Sequence, residues 1–249
     1  VILDDIRHII FRQELYHRFT VGSFMVVPPA CINLEDSMEE ALQNHEFTVF
    51  YQPKFDILTK KVIGSEALVR WSRHAGMIPP IRFIPLFEEN GFIVPLDYYV
   101  LDSVCASLRA RIDAGKRVLP VSVNFSRVHL STDVLPVVIK ATLERYNIPA
   151  NLIEIEITES ALAATEDYQL SIFNELHALG CTLSMDDFGS GMSSLNALRN
   201  LPFDVLKIDR DFLYSNSTSE RERIVLSNVV RMAFDLNMKV ICEGVETEE

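Results

Sequence analysis

The stretch SEALVRW, at residues 65–71, places Glu66 and Arg70 four residues apart where an apolar, strand-like run ends. Alone, a carboxylate and a guanidinium at this spacing are a weak signal. The pattern recurs, however, because later strand-like segments also end on carboxylate, amide or ammonium side chains. Residues at the carboxyl ends of parallel strands converge when the strands close into a barrel. The stretch therefore predicts an α/β barrel with a polar site at one rim.

Composition limits the classes of function. The chain has 249 residues, of which 48% are hydrophobic, and a formal net charge of -12. That length suits one large α/β domain as well as two small ones, and the acidic charge argues against DNA, RNA or anionic lipid as non-specifically bound partners. No apolar run is long enough to cross a bilayer. Four cysteines without a CxxC pair and six histidines without zinc-ligand spacing favour a reducing, cytoplasmic setting and disfavour zinc.

The chain alternates between strand-like and helix-like segments from about residue 47, which predicts parallel strands joined by right-handed crossovers. The first two strands are joined by a link too short for a helix, so we expect an antiparallel hairpin there. The predicted strands are residues 47–51, 62–68, 119–124, 152–158, 182–186, 204–208 and 239–243, and the predicted helices in this part are residues 101–112, 134–146, 167–179 and 221–236. Seven strands are one short of a closed barrel, so we expect the last strand beyond the end of this chain.

The amino-terminal part reads differently. Residues 1–34 are predicted to be a linker or the remnant of a preceding domain, and residues 35–249 the main domain, incomplete at its carboxyl end. Helices are predicted at residues 4–16 and 36–44, where apolar residues recur at helical spacing.

Polar side chains stand at or near the end of six consecutive predicted strands. Crowded carboxylates repel one another and take up protons unless cations bind, and hard oxygen ligands suit Mg²⁺ or Mn²⁺. Two adjacent aspartates can serve two metal ions, the usual arrangement for in-line attack on a phosphodiester. The residues concerned are Glu66, Asn124, Glu156, Glu159, Asp186, Asp187, Lys207, Asp209, Glu243 and Glu246.

A structural interpretation competes with the functional one at every position. A single carboxylate at a strand end is usually a helix cap or a loop anchor, and we interpret Glu159 and Glu246 as loop anchors. Repetition at successive strand ends favours a site for the rest. A lysine such as Lys207 suits orientation or deprotonation of an attacking water, and Arg70 suits a phosphate oxygen.

Several motifs together resemble the EAL domain, a bacterial family that hydrolyses the second messenger cyclic di-GMP. They are YQP at 51–53, EALVRW at 66–71, VNFS at 123–126, EITE at 156–159, DDFGSG at 186–191, KID at 207–209 and EGVE at 243–246. The resemblance extends from about residue 35 to the end of the chain. It implies a modified TIM (β/α)8 barrel with an antiparallel first strand, and a linear pGpG product.

The resemblance also implies roles for individual residues. Catalysis would fall to Lys207, Glu66 and Glu243, and substrate binding to Gln52, Leu68, Arg70 and Asp209. Two Mg²⁺ or Mn²⁺ ions would be held by Glu66, Asn124, Glu156, Asp186, Asp187 and Glu243, while Glu159 and Glu246 anchor loops. The family further implies a homodimer in the bacterial cytoplasm, in some cases as part of a protein tethered to the membrane.

Two other functions stay open. The first is a non-catalytic receptor that binds cyclic di-GMP and signals by conformation, and the second is a regulatory module that no longer binds the nucleotide. Degenerate relatives usually lose a metal-binding carboxylate, whereas every such position within this chain keeps its ligand type, which favours the enzyme.

Overall fold

The computed structural model describes residues 9–12, 34–73, 76–162, 167–189, 194–213 and 220–244. The strands are β1 (Ile9–Arg12), β2 (Phe47–Asp56), β3 (Val62–Arg73), β4 (Gly76–Ile78), β5 (Val121–Asn124), β6 (Ile153–Thr158), β7 (Thr182–Phe188), β8 (Val205–Ile208) and β9 (Lys239–Cys242). The α-helices are α1 (Met38–Gln43), α2 (Pro80–Asn90), α3 (Ile93–Asp113), α4 (Val134–Tyr146), α5 (Asp167–Ala178), α6 (Ser194–Asn200), α7 (Arg210–Leu213) and α8 (Glu220–Asp235).

The sheet closes on itself as a modified TIM barrel. Strands β3, β5, β6, β7, β8 and β9 pair in parallel in that order, and β1 continues the parallel series beside β9. Strand β2 pairs antiparallel with both β1 and β3, so it closes the ring. The short β4 extends the sheet outside the ring by pairing with β3. The predicted hairpin and the predicted barrel class are confirmed.

The helix predicted at residues 4–16 is wrong where the structure describes that segment. Residues 9–12 form β1, which lies between β2 and β9, where the sequence analysis predicts a strand from beyond the end of the chain. An open edge presents unpaired N–H and C=O groups on both neighbours, and backbone pairing there outweighs a local helical pattern. Strand β1 also lies within the predicted linker and yet pairs with the sheet of the main domain.

The hairpin strands are longer than predicted, which corrects the position of Glu66. Strand β3 runs on to Arg73, so Glu66 lies near its middle and not at its end. Its parallel pairing with β5 stops at Ala67, and beyond that point β3 is held only by β2 and β4. Glu66 therefore marks the end of the barrel ladder but not the end of the strand. Helices α2, α6 and α7 were not predicted.

The outer and inner faces of the barrel differ in polarity. On β6, three isoleucines belong to the main apolar core, whereas the alternate residues Glu154 and Glu156 are buried carboxylates. Branched apolar side chains fill the interior of an ordinary TIM barrel, so a charged interior is unusual and is costly unless the charges are paired. Among the described residues, no helix has the length and hydrophobicity needed to cross a bilayer.

Candidate metal and catalytic centre

Lys207 lies at the centre of the candidate site. Strand β8 places it inside the barrel, where its side chain is 0% exposed. Its Nζ lies 2.7 Å from Asp186 Oδ2, 2.9 Å from Glu156 Oε2, 3.0 Å from Glu243 Oε1 and 3.4 Å from Glu66 Oε2. Four carboxylates from β3, β6, β7 and the residue after β9 thus converge on one ammonium group.

Asn124 joins this centre from the end of β5. Its Nδ2 donates a hydrogen bond of 3.0 Å to Glu66 Oε1, and it is in register with Glu156 on the neighbouring strand. The side chain oxygen of an asparagine is a suitable ligand for a hard cation. The structure therefore brings the predicted ligands of β3, β5, β6, β7 and β9 together.

A bulge in β7 explains how two consecutive aspartates serve one site. Successive side chains of a regular strand point to opposite faces, which would separate Asp186 from Asp187. The ladder with β8 shifts register between Met185 and Phe188, and Asp187 adopts a left-handed backbone with φ of 55°. Such bulges re-aim side chains beside functional sites. One oxygen each of Asp186, Asp187 and Glu243 consequently lie within 4.8 Å of one another.

Burial and charge shift the titration of this centre. Burial would raise the pKa of Glu156, but Lys207 and Lys54 outweigh it and the pKa falls below its usual range. Burial raises the pKa of Asp186, and the nearby carboxylates add to the shift while Lys207 opposes it. Burial would lower the pKa of Lys207, but the surrounding carboxylates, Asp186 first, hold it well above its usual value. Lys207 therefore stays protonated. Without bound cations, its single positive charge does not keep all of the surrounding carboxylates ionised.

The sequence analysis missed Lys54 and Glu154, which extend the network into the barrel. Lys54 Nζ lies 2.9 Å from Glu154 Oε1 and 3.0 Å from Glu156 Oε1. Burial would lower the pKa of Lys54, yet the two glutamates raise it overall. The predicted strand at 47–51 ended before Lys54, so its place in the interior could not be seen. The alternation of isoleucine and glutamate in β6 was the available signal for Glu154.

The predicted substrate-binding residues lie on β2, on β3 and directly after β8. Gln52 is in register with Glu66 across the hairpin, and Leu68 and Arg70 follow Glu66 on the same face of β3. Arg70 donates from Nη1 to the carbonyl oxygen of Val69 at 2.9 Å, and its guanidinium carbon lies 6.0 Å from the ring centroid of Phe50. Asp209 follows β8, two residues after Lys207. Their contact with a substrate stays a prediction.

Glu159 holds the backbone directly after β7. Glu159 lies in the 3-10 helix Glu159–Leu162, and its Oε2 accepts a hydrogen bond of 2.9 Å from the backbone N–H of Gly189. Gly189 has a φ of 101°, and a Cβ at this position would lie 2.4 Å from Phe212 Cδ2. Glycine is therefore required here on both counts. Glu246, the other predicted anchor, lies outside the described residues.

A buried polar cluster supports the chain directly after Asn124. Asp97 of α3 accepts a hydrogen bond of 3.0 Å from the backbone N–H of Ser126, and the same oxygen lies 3.0 Å from His129 Nε2. Burial raises the pKa of Asp97, while His129 and Ser126 oppose the shift. No ligand role is predicted for His129, and its contact is with the carboxylate of Asp97.

Comparisons with known proteins place the chain in a family. A family model described as EAL domain matches residues 35–249. Signaling protein YkoW of Bacillus subtilis is 35% identical over 233 residues, which cover 93% of this chain and 28% of YkoW. Cyclic di-GMP phosphodiesterase NbdA of Pseudomonas aeruginosa is 39% identical over 220 residues, which cover 88% of this chain and 28% of NbdA. This chain thus spans less than a third of the length of either relative.

A solved structure supports the fold in three dimensions. The structure described as PaMucR Phosphodiesterase, c-di-GMP complex, superposes with a TM-score of 0.80 at 35% sequence identity. The match covers 87% of this chain and 88% of the other. That structure is a complex of the PaMucR phosphodiesterase with cyclic di-GMP.

Proposed function

This chain belongs to the EAL domain family, and we propose that it hydrolyses cyclic di-GMP to linear pGpG at the centre around Lys207. The observation that most directly supports the proposal is the convergence of Glu66, Glu156, Asp186 and Glu243 on one fully buried lysine. A centre of this charge is expensive to bury without a function that uses it.

We infer that two Mg²⁺ or Mn²⁺ ions occupy the centre during turnover. The donors are hard oxygens, which fit these ions and not zinc. Five carboxylates and the ammonium of Lys207 carry a formal charge of -4, which two divalent ions would neutralise. The carboxylates are Glu66, Glu156, Asp186, Asp187 and Glu243, and Asn124 is an uncharged donor. Bound divalent ions would supply Lewis-acid stabilisation of charge on the phosphoryl oxygens.

The chain's own residues then have distinct tasks. Lys207, which the carboxylates keep protonated, orients the attacking water through an N–H donor and holds Glu66 and Glu243 in place beside it. The water oxygen forms a bond to phosphorus while the bond from phosphorus to the 3′ oxygen breaks. The water proton passes to a carboxylate of the centre, and the leaving 3′ oxygen takes up a proton to give the free hydroxyl of pGpG.

The remaining polar residues at the rim would hold the nucleotide. Arg70 is suited to a phosphate oxygen because a guanidinium donates two parallel hydrogen bonds. Gln52, Leu68 and Asp209 would line the groove beside it. Glu159 would keep the loop that begins at Gly189 in position, and Glu246 would serve a corresponding loop after β9.

The cellular setting follows from the same proposal. A cyclic dinucleotide messenger is made and consumed inside bacterial cells, so we propose a cytoplasmic site of action. We also propose that the chain acts as a homodimer, as the resemblance to the family implies.

The test is to incubate the protein with cyclic di-GMP and Mg²⁺ and to separate the nucleotides by chromatography. We expect linear pGpG, its loss on adding EDTA, and its loss in the Glu66→Ala variant. Tight binding of cyclic di-GMP without a linear product would instead identify a receptor. No binding in Ca²⁺ or Mg²⁺ would identify a regulatory module and refute the proposal.

A further inference from the structure

Lys54 occupies the barrel interior without being one of the predicted site residues. It lies on β2, opposite Gly64 of β3, and its side chain is 4% exposed. A Cβ on Gly64 would lie 3.1 Å from the carbonyl oxygen of Pro120, which is a tight contact, and 3.9 Å from Lys54 Cδ, which is an ordinary one. The stem of the lysine thus packs beside Gly64, while the close approach that favours glycine is to the backbone at Pro120. The hairpin ladder shifts register directly after Lys54, a bulge of the kind that re-aims a side chain.

The ammonium of Lys54 contacts the one carboxylate of the centre that is itself completely buried. Glu156 is 0% exposed, with Oε1 at 3.0 Å from Lys54 and Oε2 at 2.9 Å from Lys207. Each oxygen is therefore held by a separate lysine. Without Lys54, Oε1 would lose its ammonium partner while Oε2 keeps Lys207.

We propose that Lys54 is a positioning residue that acts through Glu156. It holds Oε1 of Glu156 on the side of the barrel interior, so that the carboxylate presents a fixed edge to Lys207 and to the divalent ions. This inference rests on the proposed function for the presence of the ions. Partners that fix a metal-binding side chain typically change metal affinity by about 10–100-fold when they are removed.

A competing role for Lys54 is simple charge balance. Glu154 is also buried and lies 2.9 Å from the same ammonium, so in this competing role Lys54 serves only to neutralise Glu154. Lys54 and Glu154 together carry no net charge, and exchanging both for neutral residues leaves the formal charge of the centre unchanged. The two roles therefore predict different behaviour for a double variant.

The experiment compares Mn²⁺ affinity, measured by calorimetry without nucleotide, in the wild type, E154Q, K54M and the double variant K54M/E154Q. We expect E154Q to bind Mn²⁺ within about threefold of the wild type, because Lys54 still holds Glu156. We expect K54M/E154Q to keep a cooperative thermal transition and to bind Mn²⁺ at least about tenfold more weakly than E154Q. K54M alone should melt at a lower temperature, because it leaves the buried Glu154 without the lysine it pairs with and Glu156 with Lys207 alone.

Three results would overturn the proposal. The first is Mn²⁺ binding by the folded double variant that equals that of E154Q, which would assign Lys54 to charge balance. The second is a tenfold loss of Mn²⁺ affinity in E154Q alone, which would make Glu154 the residue on which the centre depends. Because E154Q keeps Lys54, this result would overturn the proposal even if the double variant unfolds. The third is a wild type that binds no Mn²⁺. A wild type that binds Mn²⁺ but releases no pGpG would refute the proposed function and leave this inference standing.

Discussion

Replacing Lys207 by methionine removes the ammonium group that contacts four carboxylates and keeps a side chain of similar length. The four contacts span 2.7 to 3.4 Å, and the side chain is 0% exposed. Removing one partner of a buried ion pair costs about 3–5 kcal/mol, because the other charge is left uncompensated. Proteins of this kind have a total unfolding free energy of about 5–15 kcal/mol. Lys207→Met should therefore remove a large share of the stability without necessarily unfolding the chain.

The assay combines urea unfolding with a rate measurement. In EDTA we expect the unfolding free energy to fall by about 3–5 kcal/mol. In saturating Mn²⁺ the loss should be smaller, because the ions supply positive charge to the same carboxylates. The rate of pGpG formation should fall by a factor of about 10² to 10⁴, as is usual when a proton-transferring or water-orienting group is removed.

Lys239→Met is the matched control, since Lys239 also lies on a barrel strand but its side chain is exposed. It should leave the rate unchanged and the unfolding free energy within about 0.5 kcal/mol of the wild type. The reasoning is refuted if Lys207→Met unfolds at the same urea concentration as the control, or if it forms pGpG within about threefold of the wild-type rate.

Three further predictions concern the same site. Because burial raises the pKa of Asp186, Mn²⁺ must displace a proton from this side chain when it binds. The affinity for Mn²⁺ should therefore decline as the pH falls and be higher at alkaline pH. Calorimetry in two buffers of different ionisation enthalpy should detect the released proton. A pH-independent affinity would contradict this. Gly189→Ala should lower the unfolding free energy in urea more than Gly115→Ala. Both substitutions add a Cβ at a left-handed backbone position, but only the Cβ at residue 189 collides with another side chain, that of Phe212. Equal losses in the two variants would count against the contact. Glu66→Ala should abolish turnover, measured by chromatography of the nucleotides, and a near-normal rate in Mg²⁺ would remove Glu66 from the site.

The barrel could be predicted because apolar residues recur at a different spacing in its strands and in its helices. Parallel strands with apolar outer faces, such as β6, and amphipathic helices, such as α4, leave clear local patterns. Strand β1 could not be predicted in this way. Its conformation depends on pairing with β2 and β9, residues more than forty positions away, and its own pattern favours a helix. Tertiary pairing overrides local propensity in such segments.

The site could be predicted as a set of residues but not as a geometry. The positions of Asn124, Asp186 and Glu243 at strand ends were sufficient to predict that they converge. The bulge that turns Asp187 toward Asp186 depends on the pairing between β7 and β8, which no local pattern reveals. Lys54 was missed for a similar reason, because its carboxylate partners lie about a hundred residues further along the chain.

The central claim is that the carboxylates around Lys207 bind a pair of divalent ions. The most direct measurement is anomalous diffraction from crystals soaked in Mn²⁺. We expect two anomalous peaks about 3.5–4 Å apart among the side chains of Glu66, Asn124, Glu156, Asp186, Asp187 and Glu243. Crystals that hold saturating Mn²⁺ and show no peak among these side chains would contradict the claim.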